Sequence, residues 1–408
     1  MSALPRPRLL FIAPVMPDCS GNGLAMRQGQ FLAAYAKDFD IDLAVMPLAG
    51  AANADANFAW RHVRRLSVFP LDGVDTHFSL IMRLQDPQAR IPAFRAYGRP
   101  SITARLTQPM HATFQSWIAA QHYNLVHTGR LYLLSLAMLA DAPRIVDADE
   151  DDALLFRQIA AGARRRGKAV AASWADAEAN NAANCMAKLL PGMNHVFAAS
   201  ESDATSLCAY GPPVSVIPNV VARPPFPARP RGARVLFVGT LGYEPNAEAI
   251  TWFIQKCWPH LRKRLPHLRL DIVGGGAPPA LRRLAMQPGI VWHGRQKSLQ
   301  CFYARASAVV VPIRSGGGSR IKLLEAAAYG RPIVATTAGA EGTALTPQRD
   351  FLHADDPFRF TRAVAAVLTR GQKFGRAARK TVEQHHHPAG WQRRILAVAG
   401  AIASPVTA

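Results

Sequence analysis

The sequence predicts an α/β protein made of two doubly wound, Rossmann-like domains that face each other across a cleft. A series of strand, glycine loop, helix and strand opens the chain at 8–46, and a second such series opens at 234. Between them, the proline-rich segment 223–232 lacks hydrophobic periodicity, which is typical of an interdomain linker. Alternating strands and helices favour parallel sheets covered by helices, whose ligands bind at the carboxyl ends of the strands.

The first series starts with the apolar run 8–13 (RLLFIA), which predicts a buried strand. A loop that holds Gly21 and Gly23 follows, and then a helical stretch at 24–37. The Ala- and Arg-rich stretch 151–190 predicts long helices. Short apolar or alternating runs predict the remaining strands of this domain at 41–46, 124–127, 144–146, 195–198 and 214–217.

The second series starts with the strand 234–239 (RVLFVG) and the helical stretch 247–265. Further strands are predicted at 268–273, 290–293, 308–312 and 332–336. The predicted organisation is therefore a first domain at 1–222, a linker at 223–232, a second domain at 233–389, and a C-terminal helix at 390–408 that is a candidate to pack back on the first domain.

The charge balance indicates an anionic partner. Lys and Arg number 48 against 27 Asp and Glu, so the net charge is +21. Such a chain suits nucleic acid, an anionic membrane surface or phosphorylated substrates. No segment approaches the roughly 18–20 apolar residues that span a bilayer, so a membrane partner would be bound at its surface.

Cysteine and histidine usage argues against a metal site or a disulfide framework. The five cysteines are scattered and contain no C-x-x-C pair. The triplet 385–387 (HHH) consists of consecutive residues, which do not share a helix face. We therefore predict no metal and a reducing, cytoplasmic environment.

The segment 310–330 (VVPIRSGGGSRIKLLEAAAYG) is the most informative part of the chain. A strand, three glycines and a helix start form a pocket for an anion such as a diphosphate, because glycines present backbone amides and the helix start is partially positive. Arg320 and Lys322 add two cations where they oppose the helix dipole, which favours a bound anion. Glu325 lies on the same face as Lys322 and could accept hydrogen bonds from a ribose. The alternative is a plain glycine turn followed by an i, i+3 salt pair.

This segment resembles the donor-site signature of the GT-B-fold glycosyltransferases of family 4, in particular their bacterial polysaccharide biosynthesis subgroup. The resemblance continues in the T-x-x-G-A-E-G run at 336–342, in LFVGTLGYEPNAEAI at 236–250 and in IPNVV at 217–221. It is strong from about 195 to 370 and weak in the first half of the chain. An ordered set of motifs is more specific than a single glycine run.

The resemblance implies a role for each matching residue. Glu325 would bind the donor ribose, while Arg320 and Lys322 would neutralise the leaving nucleotide as catalytic groups. The remaining donor-binding residues would be Gly316, Gly317, Gly318 and Ser319 along the diphosphate, and Gly239, Leu241 and Gly242 in a turn on its other side.

Two features depart from the family pattern. Many members carry two glutamates eight positions apart, and Gly317 stands at the first of these positions, which leaves the sugar contacts undefined. The basic pair that many members carry near the position of Thr240 is also absent.

In the first domain, two candidate contacts have structural alternatives. Gly21 and Gly23 are interpreted as a loop that faces the sugar or acceptor, or equally as a plain strand-to-helix turn. His127 is taken to end a strand, near the point where a histidine of family members contacts the transferred sugar, so the resemblance implies a catalytic role for it. A half-buried structural histidine is the alternative.

The resulting hypothesis is a retaining glycosyltransferase of the hexosyltransferase type (EC 2.4), which moves a sugar from a nucleotide-diphosphate sugar to a glycan or polyprenyl-linked acceptor. Cell-surface polysaccharide assembly is the expected pathway, with no cofactor or metal, no nucleic acid, and a cytoplasmic location at the inner face of the membrane. The alternatives are a non-catalytic glycosyltransferase-like subunit, a basic nucleic-acid-binding protein and an epimerase-like enzyme.

Overall fold

A computed structural model describes residues 6–222, 224–225, 232–314 and 320–403. The chain divides into two compact units, each with its own parallel sheet. Unit 1 runs to Ile217 and resumes at Gln392, and unit 2 is Pro218–Trp391. The division thus falls after Ile217, whereas the sequence placed the first boundary at 222.

In unit 1, the described residues form a sheet of seven parallel strands in the order β3-β2-β1-β4-β5-β6-β7. The strands are β1 (Arg8–Ala13), β2 (Asp40–Val45), β3 (Arg65–Val68), β4 (Leu125–Gly129), β5 (Arg144–Asp149), β6 (His195–Ala198) and β7 (Val214–Val216). The helices are α1 (Gly23–Tyr35), α2 (Asn57–Trp60), α3 (Thr76–Arg83), α4 (Pro87–Tyr97), α5 (Gln108–Ile118), α6 (Leu134–Ala137), α7 (Asp152–Arg165), α8 (Ala169–Leu189) and α9 (Glu201–Leu207).

In unit 2, the described residues form a sheet of six parallel strands in the order β10-β9-β8-β11-β12-β13. The strands are β8 (Arg234–Val238), β9 (Arg269–Val273), β10 (Ile290–Trp292), β11 (Ala308–Val311), β12 (Ile333–Ala335) and β13 (Leu352–His353). The helices are α10 (Glu244–Lys256), α11 (Trp258–Arg264), α12 (Pro279–Leu284), α13 (Gln300–Arg305), α14 (Ile321–Ala328), α15 (Thr337–Ala340), α16 (Pro357–Arg370) and α17 (Gln372–His385). The last helix, α18 (Pro388–Ala403), begins in unit 2 and belongs to unit 1 from Gln392 on.

The central strands are apolar on both faces because helices cover both sides of a doubly wound sheet. In β1, every residue from Leu9 to Ala13 is buried, and in β11 the whole run AVVV is buried. Side-chain caps set several helix starts: Asn22 accepts a hydrogen bond from the Ala25 amide at the start of α1, and Asp151 does the same for α7. In unit 1, these two helices therefore begin next to strand ends, which is the place where doubly wound folds bind ligands.

The predicted fold class is confirmed, and the predicted strands are found with small differences at their ends. Two strands were missed, β3 and β13, because they are short and only partly buried. The single helix predicted at 247–265 is two helices, α10 and α11, which meet at Cys257. Pro259 explains the break, because a proline fits well in the first turn of a helix but disrupts a helix interior. No helix among the described residues is long and apolar enough to cross a membrane.

Candidate functional site

Helix α14 follows β11 and carries three of the predicted site residues. Arg320 stands at the N-cap position, and Lys322 and Glu325 lie within the helix. The predicted diphosphate loop Gly316, Gly317, Gly318 and Ser319 lies outside the described residues, so its role stays a prediction. The site is therefore described from the side chains on α14 and from the elements that pack against it.

Lys322 and Glu325 are each held by a different neighbour. The Lys322 amine donates a hydrogen bond to Oδ1 of Asn246 on α10. Glu325 Oε2 accepts a hydrogen bond of 2.8 Å from the hydroxyl of Tyr303 on α13. Within the described residues, no ion pair joins Lys322 to Glu325, so the alternative of a simple i, i+3 salt pair is not what the structure contains.

Burial brings the pKa values of Lys322 and Glu325 close to neutral pH. Burial, aided by the nearby Arg320 and opposed by Glu325, lowers the pKa of Lys322 to about 7. Burial raises the pKa of Glu325 to about 7, and the hydrogen bond from Tyr303 and the charge of Lys322 oppose that rise. Partly buried groups with shifted pKa values are typical of sites that bind or convert a ligand.

Arg320 completes the set of cations at this helix start. Its side chain is only 7% exposed, and its guanidinium NH2 lies 3.7 Å from Oε2 of Glu341. Two basic side chains thus lie at the positive end of α14, where a bound anion would relieve their mutual repulsion. The structure places Arg320, Lys322 and Glu325 together at α14, and their roles toward a donor stay predictions.

The turn after β8 packs against the turn after β9 through backbone contacts. The Gly239 amide donates to the Val273 carbonyl at 3.0 Å, and the Leu241 amide donates to the Gly275 carbonyl at 2.8 Å. Gly274 has φ +153°, and a Cβ there would lie 1.8 Å from the Gly239 oxygen, so only glycine fits. Gly239 and exposed Gly242 therefore lie in a closely packed turn.

Leu241 lies in the turn after β8, where the sequence placed it. Its side chain is 1% exposed, and its amide is already bonded to the Gly275 carbonyl oxygen. The side chain therefore shapes the turn from inside the core, and the donor contact of this turn stays a prediction.

Sequence reasoning assigned no role to Asn246 or Tyr303. Asn246 lies inside the motif at 236–250, so a signal existed, but only the fold shows its contact with Lys322, which is 76 positions away. Tyr303 is 22 positions from Glu325 and had no sequence signal. Their contribution depends on how α10, α13 and α14 pack.

The predicted position of His127 at the end of a strand is wrong. His127 lies in the middle of β4 rather than at its end, and its side chain has no exposed surface. The ring packs 4.5 Å from the Phe11 ring and 4.8 Å from the Phe31 ring, and Nδ1 lies 3.1 Å from the Tyr35 hydroxyl. Burial, aided by Arg27, lowers the pKa of His127 to about 3. His127 is therefore a neutral core residue, which favours the alternative of a structural histidine.

Gly21 and Gly23 lie in the loop between β1 and α1. Gly21 is exposed with φ +101°, and Gly23 is the first residue of α1, directly after the capping residue Asn22. These features describe a strand-to-helix turn at the carboxyl end of β1. The predicted contact with a sugar or acceptor stays a prediction.

A buried charge network lies at the carboxyl ends of β4 and β5, and it was not identified from the sequence. Arg27 has no exposed surface and bonds Asp147 through Nε at 2.9 Å and NH2 at 2.7 Å. Arg130 contacts Glu150 at 3.0 Å and Asp152 at 2.5 Å. Arg130 and Asp149 have φ of +73° and +62°, and such strain persists only where the surroundings hold the backbone. The network therefore supports the backbone at this edge of the sheet in unit 1.

No group of three or more potential metal-binding side chains comes together in the part of the chain that the structure describes. The His385–His387 triplet is no exception, because His386 is buried and its Nδ1 lies 2.7 Å from the Asn219 carbonyl oxygen.

Comparison with known families places the match on unit 2. Residues 232–370 match the family described as glycosyl transferases group 1. An uncharacterized 44.6 kDa protein in the cps region of Klebsiella pneumoniae is 26% identical over 138 residues, which are 32% of this chain and 36% of that protein. The chain spans 60% of the length of the other curated relatives it matches.

Solved structures resemble the chain over nearly its whole length. Sucrose-phosphate synthase of Thermosynechococcus elongatus has a TM-score of 0.67 at 15% identity, covering 97% of this chain and 99% of that one. HepE of Anabaena, solved in complex with UDP and glucose, has a TM-score of 0.63 at 14% identity, covering 97% and 100%. The two Rossmann-like units thus have the GT-B fold of glycosyltransferases.

Proposed function

We propose that this chain is a glycosyltransferase that moves a sugar from a nucleoside-diphosphate sugar to an acceptor. The observation that carries the proposal is the cluster on α14, where Arg320, Lys322 and Glu325 lie together beside the turn after β8. The family match over 232–370 includes all of these residues.

The chemistry of the cluster suits a leaving nucleotide. Arg320 and Lys322 would bind the diphosphate and stabilise the negative charge that grows on it as the glycosyl bond breaks. The positive end of α14 adds to this attraction. Glu325 keeps Oε1 available for ribose hydroxyls while Tyr303 holds Oε2, since Oε1 has no hydrogen-bond partner among the described residues. Protein cations would do the work that a metal does in other enzymes.

The finer assignment rests on resemblance and on charge. We propose transfer with retention to a glycan or polyprenyl-linked acceptor during cell-surface polysaccharide assembly. A relative in a cps region supports this pathway. A structural neighbour that was solved in complex with UDP and glucose supports a nucleoside-diphosphate sugar as the donor class.

The proposed location is the cytoplasmic face of an anionic membrane. The net charge of +21 attracts such a surface. In unit 1, four apolar side chains around α3 are exposed, namely Val74, Leu80, Met82 and Leu84. Exposed apolar side chains on a basic protein favour binding at a membrane interface, where a lipid-linked acceptor would be found.

The test compares donor binding by the wild type and Glu325→Ala. A thermal-shift screen against nucleotide sugars selects the ligand, and calorimetry measures its affinity. We expect Glu325→Ala to weaken binding by about 1–3 kcal/mol, because a charged hydrogen-bond partner is lost. Glu201→Ala, an exposed carboxylate in unit 1, is the control and should bind as the wild type does.

Unchanged affinity in a folded Glu325→Ala variant would contradict the proposed ribose contact. Donor hydrolysis or sugar transfer that disappears in both Glu325→Ala and Lys322→Ala would exclude a non-catalytic subunit. Analysis of the product separates transfer to an acceptor from epimerisation of the donor.

A further inference from the structure

The side chain of Asn246 joins two parts of the proposed donor site. Its Nδ2 donates a hydrogen bond of 2.9 Å to the carbonyl oxygen of Thr240, in the turn after β8. Its Oδ1 accepts a hydrogen bond from the Lys322 amine on α14. Because the Thr240 carbonyl can only accept and the ammonium group can only donate, the two partners determine the orientation of the amide.

The packing around Asn246 holds this bridge in place. The side chain is 7% exposed, and it lies against Gly239, where a Cβ would be 3.0 Å from Asn246 Cγ. A larger residue at position 239 would displace the amide. The turn, the amide and the amine are therefore packed as one unit.

Lys322 depends on this bridge more than an exposed lysine would. A lysine ends a flexible four-carbon chain, which loses rotamer freedom when its amine is held in one direction. Among the described residues, the charged groups that act on the Lys322 amine are Arg320 and Glu325. The Tyr303 hydroxyl donates to the backbone carbonyl oxygen of Lys322 at 3.4 Å. Arg320 disfavours the ammonium form and Glu325 favours it, so the amide oxygen is a second contact that supports the charge.

We propose that Asn246 is a positioning residue of the donor site, which ties the Lys322 amine to the turn after β8 and keeps that amine charged and directed for the diphosphate. The proposal rests on the proposed function, because it assigns the anion at Lys322 to a nucleoside-diphosphate sugar. Asn246 itself acts through Lys322.

The protonation of Lys322 should couple donor binding to pH. Lys322 has a pKa lowered to about 7 by burial, so part of the population is neutral above that pH. A bound diphosphate favours the ammonium form, so donor binding above pH 7 should take up protons and weaken by up to about ten-fold per pH unit. A nucleotide sugar carries an esterified diphosphate, which keeps the same charge throughout this range.

The experiment measures calorimetric affinity and proton uptake between pH 6 and pH 9, in two buffers of different ionisation enthalpy. The probe is whichever of UDP-glucose, ADP-glucose and GDP-mannose stabilises the wild type most. Asn246→Ala should lower the midpoint of the pH profile and weaken binding about ten-fold at pH 8, because the ammonium loses an acceptor. Asn246→Asp should raise the midpoint, because a carboxylate favours the ammonium.

Gln255→Ala is the matched control, since Gln255 is an exposed amide on the same helix. Opposite shifts by the alanine and aspartate variants, with no shift by the control, are the expected result. A purely structural role would lower the melting temperature and the affinity of both variants without moving the two midpoints apart. That outcome would overturn the proposal.

A second measurement needs no ligand. The pH dependence of Lys322 acetylation by acetic anhydride, read by mass spectrometry, reports the titration of the amine directly. If no nucleotide sugar binds the wild type, the proposed function fails, yet this profile still shows whether Asn246 sets the charge of Lys322. Identical profiles in the wild type, Asn246→Ala and Asn246→Asp would refute the positioning role.

Discussion

Among the titratable residues of this chain, the degree of burial decides which ones can bind a ligand or exchange a proton with it. Lys322 and Glu325 are partly buried, and burial brings the pKa of each to about 7, where a proton can move when a ligand binds. His127 is fully enclosed by Phe11, Phe31 and Tyr35, and burial lowers its pKa to about 3. The histidine is thus neutral throughout the range in which the enzyme would work.

The neutrality of His127 predicts a dependence of stability on pH. An unfolded histidine has a pKa of about 6.5, whereas the folded one has about 3, so the unfolded chain binds more protons between these values. The free energy of unfolding should therefore fall as the pH drops below about 6.5, by about 1.4 kcal/mol per pH unit from this residue. Denaturant unfolding at pH 7, 6 and 5 measures this change in the free energy of unfolding.

His127→Gln should lose this part of the slope, whatever its effect on stability at pH 7. His267→Gln removes an exposed histidine and should keep the wild-type slope. Equal slopes for all three proteins would show that His127 is not held neutral by the fold.

At the scale of elements, the site is built from helix starts and tight turns at the carboxyl ends of β8, β9 and β11. Helix α14 was predicted within a few residues, because an apolar strand, glycines and a terminal Gly330 surround it. The turns after β8 and β9 lie backbone against backbone, which explains the glycines in both. Local sequence thus indicated each turn, while the contact between them came from strand pairing.

This contact predicts a strong effect of Gly274→Ala. The new Cβ would meet the Gly239 carbonyl oxygen at 1.8 Å, and φ +153° is unfavourable for alanine. We expect unit 2 to lose about 2–5 kcal/mol of stability, from strain and overpacking together. Thermal unfolding and donor affinity are the measurements, because the shift also displaces the turn beside Asn246.

Gly390→Ala provides the comparison. This glycine lies within α18, and an added Cβ meets nothing within 4 Å. Alanine there should be neutral or stabilise the protein by up to about 1 kcal/mol. If Gly274→Ala behaved as Gly390→Ala does, the close approach of the two turns would be wrong.

For the whole molecule, charge and exposed apolar surface predict a salt-sensitive association with anionic membranes. The net charge of +21 supplies the attraction, and Leu80 and Met82 are 54% and 45% exposed. Flotation with phosphatidylglycerol vesicles should show binding at low salt that decreases as salt screens the charges. The double variant Leu80→Ser, Met82→Ser should reduce binding at least about ten-fold, because apolar burial is lost.

The variant Met286→Ser tests whether any exposed apolar residue contributes to vesicle binding. Met286 is 82% exposed and lies in unit 2. The Met286→Ser variant should bind vesicles as the wild type does. Loss of binding in Met286→Ser as great as in the double variant would argue against a surface at α3.

The GT-B fold and the grouping of charged residues on α14 could be predicted from the sequence because their signals are local. Apolar runs of strand length, glycine turns and the spacing of Arg320, Lys322 and Glu325 can each be read from short segments. The break at Cys257, the buried place of His127 and the inward side chain of Leu241 could not, since each depends on what packs against the residue.

By itself, the sequence determined most of the strands and helices, and it placed two cations and a carboxylate on the first two turns of one helix. Only the tertiary structure decided that Asn246 and Tyr303 hold the Lys322 amine and the Glu325 carboxylate, and that His127 belongs to the core. The physical reason is that hydrogen bonding and burial join side chains 22 and 76 positions apart, whereas periodicity and spacing report only on neighbours along the chain.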